Sequence, residues 1–563
     1  MPSEQNLRDT TIEFIDRLKL VASQFGLAGS GGDYKIVTRL LLYKFFNDKF
    51  GYEVKHLDDG HAGTPPYSKR FRDAERWDAE YDSFSDDEIE DLFAFLPPAV
   101  PRLRPEHTVA HLVNASSQGD FSALLDSTLL AIAELNESAF SVSSASGSKT
   151  QVFERISTEI NDVDKRDAFS RALVSKIATF DFGHVFGESY DFFSAIFEHL
   201  LKDFNKDGGG KYAEYYTPRA IAQIMARLLV GENPNLRNQK IYDPSAGTGT
   251  LLMALAHQIG EDRCEIFSQD ISAKSSELLR LNLILNNLSG SIHNVKQDDT
   301  LLNPAHKEED GTTLRKFDLI VSNPPFKFDF VETRDNLAAQ TARFWAGVPN
   351  KPKKINPDKP TMKIFLCFIQ HLLNSLSAKG KGAIVVPTGF ITAKQSIEGK
   401  ILQRIVDQHI VYGCVSMPSN VFATTGTNVS VLFFDNSRKA DKVILIDASK
   451  LGEEYKDGNN QRKRLRDFEI QKIVDTFLDR KAEDGFSVVV SHDEIKAKGY
   501  TLSAGQYFDV KIEYVPITAD EFAEKIAGFK SRLAELNAKG AELDKEIARN
   551  LDSLKFNPEF GAD

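Results

Sequence analysis

The chain is 563 residues long, which exceeds one ordinary hydrophobic core and implies two to four domains. A hydrophobic content of 41% with 35 glycines is globular usage, and no apolar run approaches the roughly 18–20 uncharged residues of a membrane helix. A net charge of −12 argues against tight, autonomous nucleic-acid binding, leaving room for a local basic face or a partner that supplies the phosphate contacts. Cys264, Cys367 and Cys414 lie far apart without C-x-x-C spacing, and Met1–Asn6 carries no basic or apolar leader. The expectation is therefore a soluble cytoplasmic protein with reduced thiols and no zinc ribbon.

Residues 1–205 read as a helical N-terminal domain. Ile12, Ile15, Leu18 and Val21-Ala22 recur at helical spacing, and so do Ile36, Leu40, Tyr43, Phe46 and Phe50, a buried helix after Gly31-Gly32-Asp33. Leu124–Leu135 and Phe192–Phe204 are further helical stretches. Asp58–Asp87 reads as irregular and Ser141–Ser148 as a break. Over 206–500 short strand-like runs alternate with helical ones: Lys240–Asp243, Glu265–Asp270, Phe317–Ser322, Ala383–Pro387, Val411–Met417 and Val429–Phe434. That alternation predicts a doubly wound, mainly parallel α/β sheet, with the last two runs close enough to pair as an antiparallel edge. Residues 501–563 form a helical tail. Phe522, Ile526, Phe529, Leu533, Leu536, Gly540, Leu543 and Ile547 make a heptad-like seam, suited to packing on its own domain or on a partner.

Three strand ends carry chemistry. After the first comes Asp243-Pro244-Ser245-Ala246-Gly247-Thr248-Gly249-Thr250, where two glycines permit a tight turn and close approach of a ligand. Leu252 replaces the third glycine of a dinucleotide fingerprint, and Asp243 suits an ammonium group better than a pyrophosphate. Asp270 ends the next strand, where a carboxylate accepts both hydroxyls of a ribose. Both dinucleotides and S-adenosylmethionine offer that ribose. The third end is Asn323-Pro324-Pro325-Phe326. Two prolines stop the ladder and hold the Asn323 amide oxygen and the Pro324 carbonyl as paired acceptors for an exocyclic amine, while Phe326 offers a face to an unstacked base. In a 3-2-1-4-5 sheet the first and fourth strands are neighbours, so the glycine and Asn-Pro-Pro turns share one crevice.

With these residues in place the sequence resembles DNA adenine-N6 methyltransferases of the gamma arrangement, and more closely the modification subunit of type I restriction-modification systems. The likeness spans roughly residues 5–515. Glu214-Tyr215-Tyr216-Thr217-Pro218-Arg219 is similar to that family's first S-adenosylmethionine motif, and Asp243 with Gly247, Thr248, Gly249 and Thr250 to its second. Asp270 matches its ribose acid, commonly Glu, Asp299 its adenine-side acid, and Asn323–Phe326 its catalytic motif. Arg343–Pro349, Phe365–Leu373, Gly426–Phe434 and Tyr500–Ser503 are also similar. The resemblance implies a seven-stranded sheet, S-adenosylmethionine as cofactor, and double-stranded DNA, a specificity subunit, a second modification subunit and a restriction subunit as partners. It also accounts for the acidity, because the specificity subunit reads the DNA. Lys351–Lys354 and Gln461–Arg466 are candidate phosphate contacts or solvated loops.

Other chemistries fit less well. His107 and His111 are four apart, but Thr108 stands where a metalloprotease motif needs Glu, so no metal is expected. In Gly208-Gly209-Gly210-Lys211-Tyr212, Tyr follows Lys where a P-loop needs Ser or Thr. A protein glutamine-N5 methyltransferase would use the same Asn-Pro-Pro logic, and a non-catalytic scaffold would keep the fold. The long helical N-terminus and tail weigh against the first, and the intact Asp243, Gly247, Gly249, Asn323, Pro324 and Phe326 against the second.

Overall fold

The computed structural model describes residues 4–27, 32–57, 67–137, 142–143, 149–183, 186, 217–231, 236–353, 360–422, 428–437, 440–457, 460–508 and 517–553. Met1–Phe508 make one compact unit and Asp509–Asp563 a second. No helix among the described residues is long and apolar enough to cross a membrane.

The N-terminal part is helical. Helix α1 (Glu4–Gln24) packs on α2 (Gly32–Lys55), and α3 (Phe121–Leu135) packs on α4 (Val163–Ala178). The expected buried helix is α2. Ile36, Leu40, Tyr43, Phe46 and Phe50 are all fully buried, and Lys44, Asn47 and Asp48 are nearly so, so the helix is covered on most sides and sits inside its bundle. Its polar residues act as ties: Tyr43 donates to the His107 carbonyl at 2.8 Å, and Asn47 Oδ1 accepts from Val109 N at 2.9 Å. The expectation of an irregular Asp58–Asp87 fails in part, because Tyr67–Asp73 and Trp77–Tyr81 are helical. Phe71, Tyr81 and Phe84 cluster, with Phe71 stacked on Phe84, and Tyr81 meets Phe50 of α2 at 5.1 Å. Aromatic burial against another helix overrides a weak local signal. Residues 58–66 and the expected helix Phe192–Phe204 lie outside the described residues.

The α/β part holds strands β1 (Gln239–Asp243), β2 (Cys264–Asp270), β3 (Val295–Gln297), β4 (Phe317–Ser322), β5 (Leu376–Pro387), β6 (Val411–Ser416), β7 (Val429–Asp435), β8 (Lys442–Asp447) and β9 (Ser487–Ser491). They form one sheet in the order β9-β8-β6-β7-β5-β4-β1-β2-β3. The 3-2-1-4-5 run is all parallel, as expected. Two features differ. Among the described residues the sheet has nine strands rather than seven, since β8 adds parallel to β6 and β9 antiparallel to β8. The β6–β7 pair is antiparallel, but β7 is no edge: it inserts between β5 and β6, antiparallel to both. Val429–Phe434 are buried throughout, the near-continuous apolar character of an interior strand.

Helices cover both faces, and the strand period of two divides the core between them. Ile241 of β1, with Leu319 and Val321 of β4, joins the cluster beneath α5 (Arg219–Val230), α6 (Thr250–Ile259) and α7 (Ala273–Leu285). Tyr242 and Ile320 join the other cluster, beneath α8 (Phe365–Ser375) and α9 (Ser396–Asp407). The second compact unit contains α11 (Ala519–Ser553), while α10 (Asp467–Leu478) belongs to the first. On α11, Phe522, Phe529, Leu533, Leu536, Leu543 and Ile547 are all more than half exposed.

Candidate active site

The adjacency of β1 and β4 brings the two decisive turns side by side. After β1 the backbone folds back on Asp243. Its Oδ1 accepts hydrogen bonds from Ser245 N at 2.9 Å and Ser245 Oγ at 3.4 Å, the Asx arrangement that opens a turn. Gly247 and Gly249 then take φ of 51° and 84°, left-handed values that favour glycine. Gly249 has a second reason to lack a side chain, because a Cβ there would overlap the Leu279 side chain of α7. The turn is held from outside by Asn282 Nδ2, which donates to the Thr248 carbonyl at 3.0 Å. Thr300 Oγ1 likewise donates to the Pro244 carbonyl at 2.7 Å. Thr250 begins α6.

Asp270 closes the far wall. One carboxylate oxygen accepts from Gly247 N at 2.8 Å and the other from Ser272 N at 2.9 Å, so both are fixed in direction while each keeps a free lone pair. Asp299 follows β3 and caps its own turn, its Oδ1 accepting from Leu301 N and Leu302 N at 2.9 and 3.1 Å. From beneath, the buried Arg343 guanidinium donates to the Leu301 carbonyl. Arg343 is held in turn through its own carbonyl, which accepts from Asn374 Nδ2 of α8 at 2.9 Å.

At the end of β4, Ser322 is fully buried and its Oγ lies 2.7 Å from Ser245 Oγ. One hydroxyl pair thus links the two turns. The next side chain, half-buried Asn323, donates from Nδ2 to Thr217 Oγ1 at 3.0 Å, which leaves Oδ1 as an acceptor. Pro324 is buried and Pro325 partly so. Phe326 meets Phe365 edge-on at 6.3 Å, and Phe365 meets Phe390 likewise at 5.7 Å, an aromatic wall continuing from the Asn-Pro-Pro turn.

The electrostatics favour a cation. Asp243 is 1% exposed. Burial, reinforced by Asp270, pushes its carboxyl up to about 8 against the Ser245 hydrogen bonds. Burial raises Asp270 too, with the Ser272 and Gly247 amides opposing. Carboxylates gathered this way repel a phosphate and gain from a positive ligand.

The structure therefore brings Thr217, Asp243, Gly247, Thr248, Gly249, Thr250, Asp270, Asp299 and Asn323–Phe326 to the carboxyl end of one sheet. Pro218 and Arg219 open α5 beside them. Glu214, Tyr215 and Tyr216 lie outside the described residues, as does Lys354. Both basic segments make ion pairs within the chain. Lys351 pairs with Asp335 at 2.7 Å. Gln461–Arg464 form one arm of the hairpin Glu453–Asp457/Asn460–Arg464, where Arg464 and Lys463 face Glu453 and Glu454, and Arg466 pairs with Glu469. Sequence reasoning missed Ser245, Ser322, Thr300, Asn282 and the packing role of Arg343. Their signal is only a hydroxyl, amide or guanidinium group beside or across from a turn.

An open α/β sheet of this order, with a glycine turn after β1 and an Asn-Pro-Pro-Phe turn after β4, defines the class: a methyltransferase acting on a planar amine. The sequence model of the N-6 DNA Methylase family matches residues 188–514, and the chain belongs to that family. It is an adenine-specific DNA methyltransferase. The family match decides against the protein-glutamine alternative. Among relatives, the chain is 27% identical over 393 residues to the type I restriction enzyme MpnII methylase subunit of Mycoplasma pneumoniae, covering 69% of this chain and 70% of that one. It is 28% identical over 401 residues to the MjaIX methylase subunit of Methanocaldococcus jannaschii, covering 68% and 67%. The fold is shared with a type I restriction-modification methyltransferase subunit from Streptococcus thermophilus, at a TM-score of 0.67 and 21% identity over 90% of this chain and all of that one.

Proposed function

We propose that this protein is the modification subunit of a type I restriction-modification system, methylating N6 of an adenine turned out of double-stranded DNA with S-adenosylmethionine as donor. The observation that carries the reading is the join between the turns: Ser245 and Ser322 in hydrogen bond, with the Asn323 amide oriented beside them. The residues present fit the donor. Among the described residues both side-chain bonds to Asp243 fall on Oδ1, and Oδ2 is assigned to a cation. Asp270 presents fixed lone pairs to a ribose, and Asp299 stands on the adenine side. The Gly247–Gly249 backbone allows close approach, and Thr217–Arg219 stand beside it at the start of α5. When bound, the donor supplies an electrophilic methyl on sulfur.

The chain's own residues act mainly by positioning. Asn323 Oδ1 and the Pro324 carbonyl accept the two N–H bonds of the target amine, which draws its lone pair out of conjugation and toward the cofactor side. No strong base is needed before attack. Once the amine has taken the methyl and become cationic, it gives up one proton to solvent water by way of the Asn323 and Pro324 oxygens, leaving a neutral methylated amine. Phe326, with Phe365 and Phe390 behind it, stabilises the unstacked base.

Sequence choice belongs to a specificity subunit, with a second copy of this chain closing on the DNA and a restriction subunit joining the full assembly. The exposed seam of α11, about 40 Å long from Phe522 to Ile547, is assigned to the specificity subunit. In the test, the full chain with its specificity subunit is incubated with labelled donor and unmethylated host DNA. Label is expected on adenine N6, and Asn323→Ala is expected to lose at least about a hundredfold in turnover while cofactor affinity stays within about threefold. Label on protein alone, or an Ala variant with normal turnover, would refute the reading.

A further inference from the structure

The motif that holds Thr217 is read by resemblance as a cofactor contact, yet the one side-chain partner of Thr217 seen among the described residues is the catalytic amide itself. Thr217 Oγ1 takes the Asn323 Nδ2 hydrogen bond at 3.0 Å, and the two residues are 106 positions apart. Thr217 is 5% exposed, and it is followed by Pro218, which opens the largely buried α5. The hydroxyl therefore sits on a fixed support.

An Asn side chain rotates about χ2 between two broadly similar states, and only one presents oxygen to an incoming amine. The other presents N–H to N–H, which repels. With the Thr217 hydroxyl accepting from Nδ2, the amide stands in the state with Oδ1 outward, and losing that bond frees χ2. The residue before it is anchored separately, through the buried Ser322 hydroxyl and its 2.7 Å contact with Ser245. Asn323 thus follows an anchored residue, Ser322, and its own side chain is held by Thr217.

We propose that Thr217 is a positioning residue for methyl transfer, setting the direction of the Asn323 amide rather than serving only as a wall of the cofactor site. This deepens the functional reading above and rests on it. It also means that a segment assigned to the cofactor holds the group that receives the base.

The test uses the full chain with its specificity subunit, labelled S-adenosylmethionine and unmethylated DNA. Thr217→Val keeps the shape and removes the hydroxyl. Its kcat at saturating donor and DNA is expected to fall about tenfold, with the donor Kd, measured without DNA, within about twofold to threefold of the parent. Thr217→Ser is expected to restore kcat to within about threefold. Should the Val variant not fold, judged by thermal unfolding, Thr217→Ala serves as the second hydroxyl-free form. A weakened donor Kd with kcat retained at saturation overturns the proposal, as do unchanged kinetics or a Ser variant as slow as Val. Asn323→Ala runs alongside as the separate check: if it keeps full turnover, the functional reading itself fails, whereas a dead Ala variant beside a normal Val variant refutes only the role of Thr217.

Discussion

Cofactor binding by this protein should be steeply dependent on pH, and the cause is one buried carboxyl. Asp243 titrates at about 8 in the free protein because burial, and then Asp270, disfavour its charge. A cationic donor needs it ionised. The free-state pKa is raised and the bound-state pKa falls, so binding expels a proton. Affinity is therefore weak at low pH, rises as pH climbs toward the free-state value, and levels off above it. The ionised fraction is about 1% near pH 6 and about 25% near pH 7.5, so the apparent Kd should drop roughly 25-fold between them, about 1.9 kcal/mol. The window stops there because an α-amino group on the ligand titrates at about 7.7–8.0. Isothermal titration in two buffers of different ionisation enthalpy should report about 0.9 proton released near pH 7. Asp243→Asn keeps the shape and removes the titration, and its affinity should be low and nearly flat across the same window. A parent protein with constant Kd over that range and no proton release would refute the assignment of Asp243 to a cation.

The remaining expectations concern packing and assembly. Gly249→Ala forces a left-handed residue and an overlap with Leu279, and should cost about 2–4 kcal/mol, read as a lower midpoint in denaturant. Adding Leu279→Ala relieves the overlap but not the φ, so the double variant should be less destabilised than the sum of the singles by about 1–2 kcal/mol, and strict additivity would disprove the packing account. Leu533→Asp with Leu536→Asp alters only exposed positions of α11. It should leave cofactor binding unchanged and abolish co-purification with the specificity subunit, whereas intact co-purification would show that the seam is not the contact.

Much of the site is legible in the sequence because its signals are local. Asp243 with two glycines after a strand, and Asn323 before two prolines, are turn chemistry that few backbone paths satisfy. The alternation of strand and helix then fixes a doubly wound sheet, and a parallel sheet with its crossovers puts successive strand ends on one side. Chain order, turn positions and the acidic lining of the crevice follow from residues near one another in sequence.

What the sequence withholds depends on partners far away along the chain. The apolar run Val429–Asp435 is equally suited to an edge or an interior, and only its pairing with both β5 and β6 makes it interior. Strands β8 and β9 gain their meaning from neighbours, and Tyr67–Asp73 becomes helical where Phe71 finds Tyr81. The contacts that aim the chemistry are of the same kind: Ser245 with Ser322, 77 residues on, and Thr217 with Asn323, 106 on. A hydroxyl has no periodicity and no preferred neighbour in sequence. Its partner is chosen when two strand ends and a helix start are brought together, and tertiary structure alone does that.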